Sequence, residues 1–370
     1  MAGNNVVGVL FAYVHGKRIS ELTTNRVMAS VPFGGRYRLV DFALSNMVNS
    51  GINKVGVITE RDYQSLMDHL GSGKAWNLSR KREGLFLLPP FGTDNQRSDG
   101  KIESLASIKR FLENSHEDYV LLSDCDYVCN IDYKGAIKAH KKTGADLTLI
   151  YRKGSSPDGI DANVYEVDEN GKVTDSIVKD NGNKDVNVGM GMYIIGRRLL
   201  INLVDACMGR NIVDFDRAVI RKCIDEMKVY GYEYTGTALQ ITSMTAFFEA
   251  NMALMNAEVR KELFDFNSPI YTKLRDDMPA KYGLGSSVSN SLVADGCIID
   301  GEVENCILFR GVKVKKGAVV KNCVLMQDTE VGENATLSYV VADKDVNIDR
   351  ERSLMGYKTY PVYIAKGSKV

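Results

Sequence analysis

The chain predicts an α/β domain with a mostly parallel sheet, followed by a parallel β-helix. Three observations carry this. Apolar runs the length of buried strands alternate with helical patterns through the first two thirds of the sequence. From about residue 286, short β-branched runs arrive every five or six residues, separated by Gly, Asn and Asp. A helical stretch at 244–264 and a proline-bounded crossing at 269–279 join the two textures. The boundaries are 1–250 for the α/β domain, 251–284 for the linker and 285–370 for the β-helix.

Composition fits that architecture. A length of 370 residues suggests two or three domains. At 44% hydrophobic and 25% charged, the chain is an ordinary soluble globular protein. The 47 basic and 47 acidic residues cancel, so bulk electrostatics draws it to neither nucleic acid nor membrane. No basic segment leads into an apolar one at the N-terminus, and no apolar run approaches the ~20 residues of a membrane span. The seven cysteines lack C-x-x-C spacing. Zinc and a disulfide framework are therefore disfavoured, and reduced cytoplasmic thiols are expected.

The first strand is the apolar run at 6–12, followed by a loop with Gly16, Lys17 and Arg18. A strand leading into a glycine-containing basic loop is where α/β domains bind phosphate. Such loops use several glycines so that the backbone can approach the anion. Here Tyr13, Val14 and His15 stand in that space. KVGVIT at 54–59 is the second strand, after a helix running from about Asp41 to a C-terminal Gly51. YVLLSDCD at 119–126 is the third and DLTLIY at 146–151 the fourth, with helices at 104–114 and 133–143. Ligands of such sheets bind at the carboxyl ends of the strands.

In the C-terminal part, Val319, Leu325, Val331 and Leu337 stand six apart. Asn290-Ser-Leu-Val, Asn305-Cys-Ile-Leu, Asn322-Cys-Val-Leu and Ser338-Tyr-Val-Val recur every 15 to 17 residues, close to three hexads. That is one turn of a three-sided β-helix, each face placing one aliphatic residue inside. A β-sandwich does not hold a six-residue period.

Several residues suit chemistry. Asp124 and Asp126 close the third strand two apart, so both carboxylates are placed to share one side and bridge Mg²⁺ to substrate phosphates. A solvated turn is the alternative. Lys179 is a phosphate contact or a surface lysine. Arg36 and Arg38, beside Gly34-Gly35, form an anion site or a structural turn. His15, His69, His116 and His140 have no metal spacing, and Trp76 is as well explained by packing as by function.

VPFGGRYRLVDFALSNMVNSGINKVGVIT, NSLVADGCIIDGEVENC and RGVKVKKGAVVKN closely resemble the glucose-1-phosphate adenylyltransferase (ADP-glucose pyrophosphorylase) family of bacterial glycogen synthesis, over nearly the whole chain. The resemblance implies a Rossmann-like nucleotidyltransferase domain, a left-handed β-helix, and tetramers regulated by metabolite anions at the domain junction. Catalytic members convert ATP and glucose 1-phosphate to ADP-glucose and pyrophosphate with Mg²⁺.

Carried over by position, the family's A-G-G-x-G-T-R-L loop reads Ala12-Tyr13-Val14-His15-Gly16-Lys17-Arg18-Ile19, so two glycines are gone. Its R-x-K-P-A reads Arg26-Val27-Met28-Ala29-Ser30, so a lysine has become Met28. Its G-T-A-D-A reads Gly100-Lys101-Ile102-Glu103-Ser104, and its metal-holding D-V-G-T reads Gln240-Ile241-Thr242-Ser243. Arg18, the metal aspartate Asp126 and the sugar-phosphate lysine Lys179 are retained. Replacing the family lysine's charge with Met28 alone forgoes about 1.5–3 kcal/mol. Electrostatic groups of this kind are each worth roughly 10²–10³-fold in rate.

The pattern is similar to that of the family's non-catalytic subunits. It implies a regulatory subunit that pairs with a catalytic homologue or with itself. Arg18 and Asp126 would then be residual catalytic positions. Lys179 would contact a sugar phosphate, and Arg36 and Arg38 an anionic effector. Mg²⁺ would be held weakly by Asp126, only with substrate, and otherwise no cofactor is expected. Two alternatives stay open: a working adenylyltransferase in which Lys17 and Lys101 supply displaced charge, and a scaffold whose β-helix assembles the oligomer.

Overall fold

The computed structural model describes residues 5–13, 19–80, 83–89, 100–155, 162–178 and 185–370. The first domain opens with β1 (Val6–Phe11), α1 (Ser20–Thr23), the hairpin β2 (Pro32–Phe33) and β3 (Tyr37–Arg38), α2 (Leu39–Asn49), β4 (Lys54–Ile58) and α3 (Gln64–Leu70). Next come β5 (Gly84–Leu88), α4 (Lys101–Ser107), α5 (Lys109–Glu113), β6 (Tyr119–Asp124), β7 (Tyr127–Cys129), α6 (Tyr133–Thr143) and β8 (Leu147–Gly154). It closes with β9 (Asn163–Val167), β10 (Val173–Val178), β11 (Val186–Gly196), α7 (Arg197–Met208), a π-turn (Phe215–Val219), α8 (Ile220–Glu226), β12 (Val229–Glu233) and β13 (Ala238–Gln240). The helices α9 (Met244–Ala253) and α10 (Ala257–Leu263) lead toward the second domain.

The main sheet has the order β10-β9-β11-β6-β1-β4-β5, with β8 on β11 and β12 on β8. Its half β6-β1-β4-β5 is parallel, and β11 runs antiparallel to β6. β1 lies in the middle and every residue of it is buried, which explains its unbroken apolar run. Val6 and Leu10 face one core cluster, and Val7, Val9 and Phe11 face the other. Gly8 lets α2 close down, since a Cβ there would meet the Met47 sulfur at 2.5 Å. α2 starts on a capping box in which Asp41 accepts from the Arg38 amide, and it ends before Gly51 at φ +81°. The helix expected at 104–114 divides at Ile108, whose amide bonds three residues back to Leu105.

The second domain is a left-handed parallel β-helix of three five-stranded sheets. Successive strands of a face stand 15 or 17 residues apart, as Ile298↔Lys313 and Lys313↔Glu330 show, except the last pair, Val340↔Val362, which is 22 apart. The inward residues are Val314, Val320, Leu325, Val331, Leu337, Ala342 and Ile348, all essentially inaccessible. A 17-residue coil is thus two hexads and a pentad. This corrects the expected register at one place: Val320 points inward, and Val319 is only half-buried. It also moves the fourth echo by one residue. The left-handed corner is taken by Asn290, Asn305, Asn322 and then Tyr339, so the last repeat is Tyr339-Val-Val-Ala and not one beginning at Ser338. The asparagines stack, Asn290 donating to Asn305 at 2.5 Å and Asn305 to Asn322 at 3.4 Å. Tyrosine lacks the short amide that makes asparagine the usual occupant, which hid the true register.

The domains share a core. Phe33, Phe42, Phe247 and Phe248 pack in one cluster with Ile307, Phe309 and Val324 of the β-helix. The tip of the β2–β3 hairpin lies on the first coils, where a Cβ on Gly35 would sit 3.7 Å from the Leu308 carbonyl.

Candidate functional site: a filled nucleotide cleft and a cationic domain junction

The carboxyl end of β1 opens on the expected nucleotide position. Val14, Arg18 and Lys179 lie outside the described residues. Tyr13 is buried, and its hydroxyl bonds to Ser104 Oγ at the start of α4. Its ring meets Phe11 edge-on at 6.5 Å. A phenol therefore fills space at the end of the strand. Met28 points into the junction core with Ile19, Leu22 and Phe33. A charged side chain there would lose solvation.

β6 ends at Asp124, two residues before the strand expected from sequence. The backbone bends at Cys125, so the carboxylates of Asp124 and Asp126 do not stand as a matched pair. Each has its own partner. Lys101 Nζ reaches Asp124 Oδ2 at 2.8 Å and Asp216 Oδ2 at 3.2 Å. Tyr193 donates to the other oxygen of Asp216 at 2.6 Å. Gly191, at φ +66°, gives Asp124 its room, because a Cβ there would fall 2.3 Å from Oδ2. Burial opposes the charge on Lys101, but Asp124 and Asp216 outweigh it and raise the ammonium's pKa. Burial, aided by Asp126 and Asp216, pushes Asp124 up to about 7 in spite of Lys101.

Asp126 is buried and accepts from the Gln240 side-chain amide at 3.0 Å. β13 makes this contact by pairing antiparallel with β7, which places Gln240 opposite Tyr127. Oδ1 of Asp124 and Oδ1 of Asp126 are buried without a hydrogen-bond partner. These residues do not fit the Mg²⁺ that the family pattern implies. An ammonium already stands between two carboxylates, and the third faces a neutral amide. Among the described residues no group of three or more His, Cys, Asp or Glu is arranged to hold a metal.

The second site is at the domain junction. Arg26, just after α1, gives Nη2 to both oxygens of Asp343 in the β-helix, at 2.9 and 2.8 Å. Asp343 also accepts from Tyr363 at 3.0 Å and from the Lys344 amide at 2.7 Å. Arg26 Nη1 is buried with no partner. Arg38, on β3, gives Nη1 to Ser30 Oγ at 2.5 Å and to the Ser65 carbonyl at 2.6 Å. Burial lowers the Arg38 guanidinium to about 10; Asp41 opposes this and Arg26 adds to it. Lys344 feels the same neighbourhood: burial first, then Arg38 and Arg26, bring its ammonium down to about 7 against the pull of Asp343. Several cations with an unused guanidinium nitrogen form an arrangement that a small polyanion would relieve.

Arg36 and Arg38 divide between two faces of the hairpin. Arg36 is exposed, with its guanidinium 5.9 Å from the Tyr37 ring centroid. Its charge is felt by Arg310, a buried β-helix arginine whose Nε and Nη2 lack hydrogen-bond partners. Sequence reasoning missed Arg26, Lys344 and Arg310. Arg26 carried a signal, since it leads the R-x-K-P-A-like stretch. Lys344 and Arg310 join the site only through the winding of the β-helix.

A nucleotidyl transferase family model matches residues 7–256, and a GlmU-like C-terminal hexapeptide model matches 278–359. The chain is 36% identical to the glycogen biosynthesis protein GlgD of Bacillus subtilis (strain 168), over 99% of this chain and 97% of the relative. It is 35% identical to GlgD of Geobacillus stearothermophilus, over 86% and 83%. It is 32% identical to the glucose-1-phosphate adenylyltransferase of Clostridium perfringens (strain SM101 / Type A), over 87% and 84%. No helix among the described residues is long and apolar enough to cross a membrane. With a nucleotidyltransferase domain, a hexapeptide β-helix and relatives that span both, the chain belongs to the glucose-1-phosphate adenylyltransferase family and is similar within it to the GlgD proteins.

Proposed function

We propose that this chain is a regulatory, largely non-catalytic subunit of a hetero-oligomeric ADP-glucose pyrophosphorylase in bacterial glycogen biosynthesis, acting on a catalytic homologue. One observation carries this reading. The groups that would hold a triphosphate and its metal are replaced by side chains bonded to one another: Lys101 to Asp124 and Asp216, Gln240 to Asp126, and Tyr13 to Ser104. Transition-state stabilisation in phosphoryl-type chemistry needs cations aimed at the phosphates. Here Lys101, at the end of the cleft strands, is engaged with carboxylates.

The regulatory half of the proposal rests on the junction. Arg26 and Arg38 come from one domain and Lys344 from the other, so an anion held among them contacts both. It favours the domain arrangement in which the three converge, and by linkage a partner docked on that arrangement binds more tightly. The ligand class is a phosphorylated metabolite or inorganic phosphate.

The test is an ADP-glucose pyrophosphorylase assay on the purified chain, alone and mixed with a catalytic homologue, with and without phosphorylated metabolites. The expected result is little turnover alone and a changed rate, KM or effector response in the mixture. Substantial turnover by the chain alone would overturn the non-catalytic reading. An unchanged partner would overturn the regulatory one.

A further inference from the structure

The cleft holds a buried cation of its own. Lys101 is the first residue of α4, its side chain is 7% exposed, and it joins Asp124 at the end of β6 to Asp216 in the π-turn. The ammonium also lies 5.6 Å from the Phe11 ring centroid and 5.4 Å from that of Tyr193. Three segments distant in sequence thus meet on one nitrogen. Buried Asp124, left as an anion beside the partly exposed Asp216, would be strongly disfavoured, and a single charge on a tether answers that without any soluble ion.

We propose that the Lys101 ammonium is the resident cation of this cleft: it stands between Asp124, one of the two carboxylates expected to hold a divalent metal, and Asp216, keeps such an ion from these oxygens and fastens α4, β6 and the π-turn together with no ligand bound. A divalent cation cannot enter while Lys101 is there, since it would meet a like charge between the same oxygens. Gln240 completes the substitution on the far carboxylate, giving Asp126 a hydrogen bond that needs no ion. The cleft is therefore closed by its own side chains. This is independent of whether the chain regulates a partner: the tether can exist in a regulator, a scaffold or an enzyme.

The test is Mn²⁺ binding to the full chain, read by loss of the free-ion electron paramagnetic resonance signal. The wild-type chain is expected to show no Mn²⁺ binding that depends on Asp216. Lys101→Met keeps the bulk and removes the charge, so it exposes Asp124 and Asp216 as a pair of oxygen ligands. It is expected to bind one additional Mn²⁺ at least tenfold more tightly than wild type, and Lys101→Met with Asp216→Asn is expected to lose that ion again. Mn²⁺ should raise the melting temperature of Lys101→Met and leave that of wild type unchanged. Two results would overturn the proposal: Asp216-dependent Mn²⁺ binding by the wild-type chain, or a folded Lys101→Met chain that takes up no extra ion. If Lys101→Met does not fold, the wild-type arm and Lys101→Arg decide. Lys101→Arg keeps the charge and must fold and exclude Mn²⁺; uptake of the ion by it refutes the tether.

Discussion

Gln240 donates its side-chain amide to Asp126 Oδ2 across 3.0 Å, so one oxygen of a buried carboxylate is met by a neutral group. Gln240→Asp would set two carboxylates face to face in that space. The expected outcome is a loss of about 1–3 kcal/mol in stability at neutral pH, measured by denaturant unfolding, because a donor becomes a repelling acceptor. Mg²⁺ is not expected to confer pyrophosphorylase activity on this variant, since Tyr13, Met28 and Lys101 stay in place.

Tyr13 packs as a core residue. Tyr13→Phe should cost about 0.5–1.5 kcal/mol through the lost bond to Ser104. Tyr13→Gly should cost about 3–5 kcal/mol by emptying a large buried volume. Neither variant should gain activity, and Tyr13→Gly with Val14→Gly should not either. Near-family turnover in the double variant would show that the loop alone silences the chain.

The Arg26–Asp343 pair is a buried tie between domains. Asp343→Ala leaves Arg26 charged and unpaired, and it is expected to destabilise the fold by about 3–5 kcal/mol. Differential scanning calorimetry should then show the transitions of the two domains separating. Asp343→Ala should also blunt any effect of phosphorylated metabolites in the mixed assay.

Lys344 makes the junction sensitive to pH. Its ammonium is held near 7 in the folded chain, against an ordinary value of 10.5. Between those values the unfolded chain carries a proton that the folded one has released. Lys344 therefore makes stability rise with pH across this window, and the benefit is lost as pH falls through 7. Anion binding has the opposite dependence, because it needs the charged form. Sulfate keeps its charge over this range, so its affinity, measured by calorimetry, should weaken from pH 6 to 8.5 in the wild-type chain. It should be weaker and nearly flat over that range in Lys344→Met.

How much of this could be read from sequence depends on the distance over which the physics acts. The β1 run and the α2 cap at Gly51 are local patterns, and the structure has them where expected; the six-residue period is there too, but broken by a five-residue step that turns Val320 inward in place of Val319. The register of the last coil was hidden because Tyr339 takes a corner that asparagine usually takes, and no local rule reveals that. Met28 and Gln240 were legible as replacements, but only as losses. That Gln240 would bond to Asp126 depends on β13 pairing with β7. Lys101 read as free charge, whereas the fold brings Asp124 and Asp216 to it from 23 and 115 residues away. Arg36 and Arg38, two apart in one motif, serve different faces because Arg36 lies in the turn of the hairpin, outside strand β3, where the rule that residues two apart share a face does not hold.

Tyr363 gives its hydroxyl to the Glu21 carbonyl at 2.7 Å as well as to Asp343. The last β-helix strand, Val362–Ile364, is thereby hooked to the short helix that stands before Arg26. Events late in synthesis thus finish a structure begun at the start of it: the cationic pocket cannot mature on the ribosome until its final coil has emerged. A chain cut ahead of Asp343 would leave Arg26 buried without its carboxylate and would uncover the part of the shared core that Val341 closes.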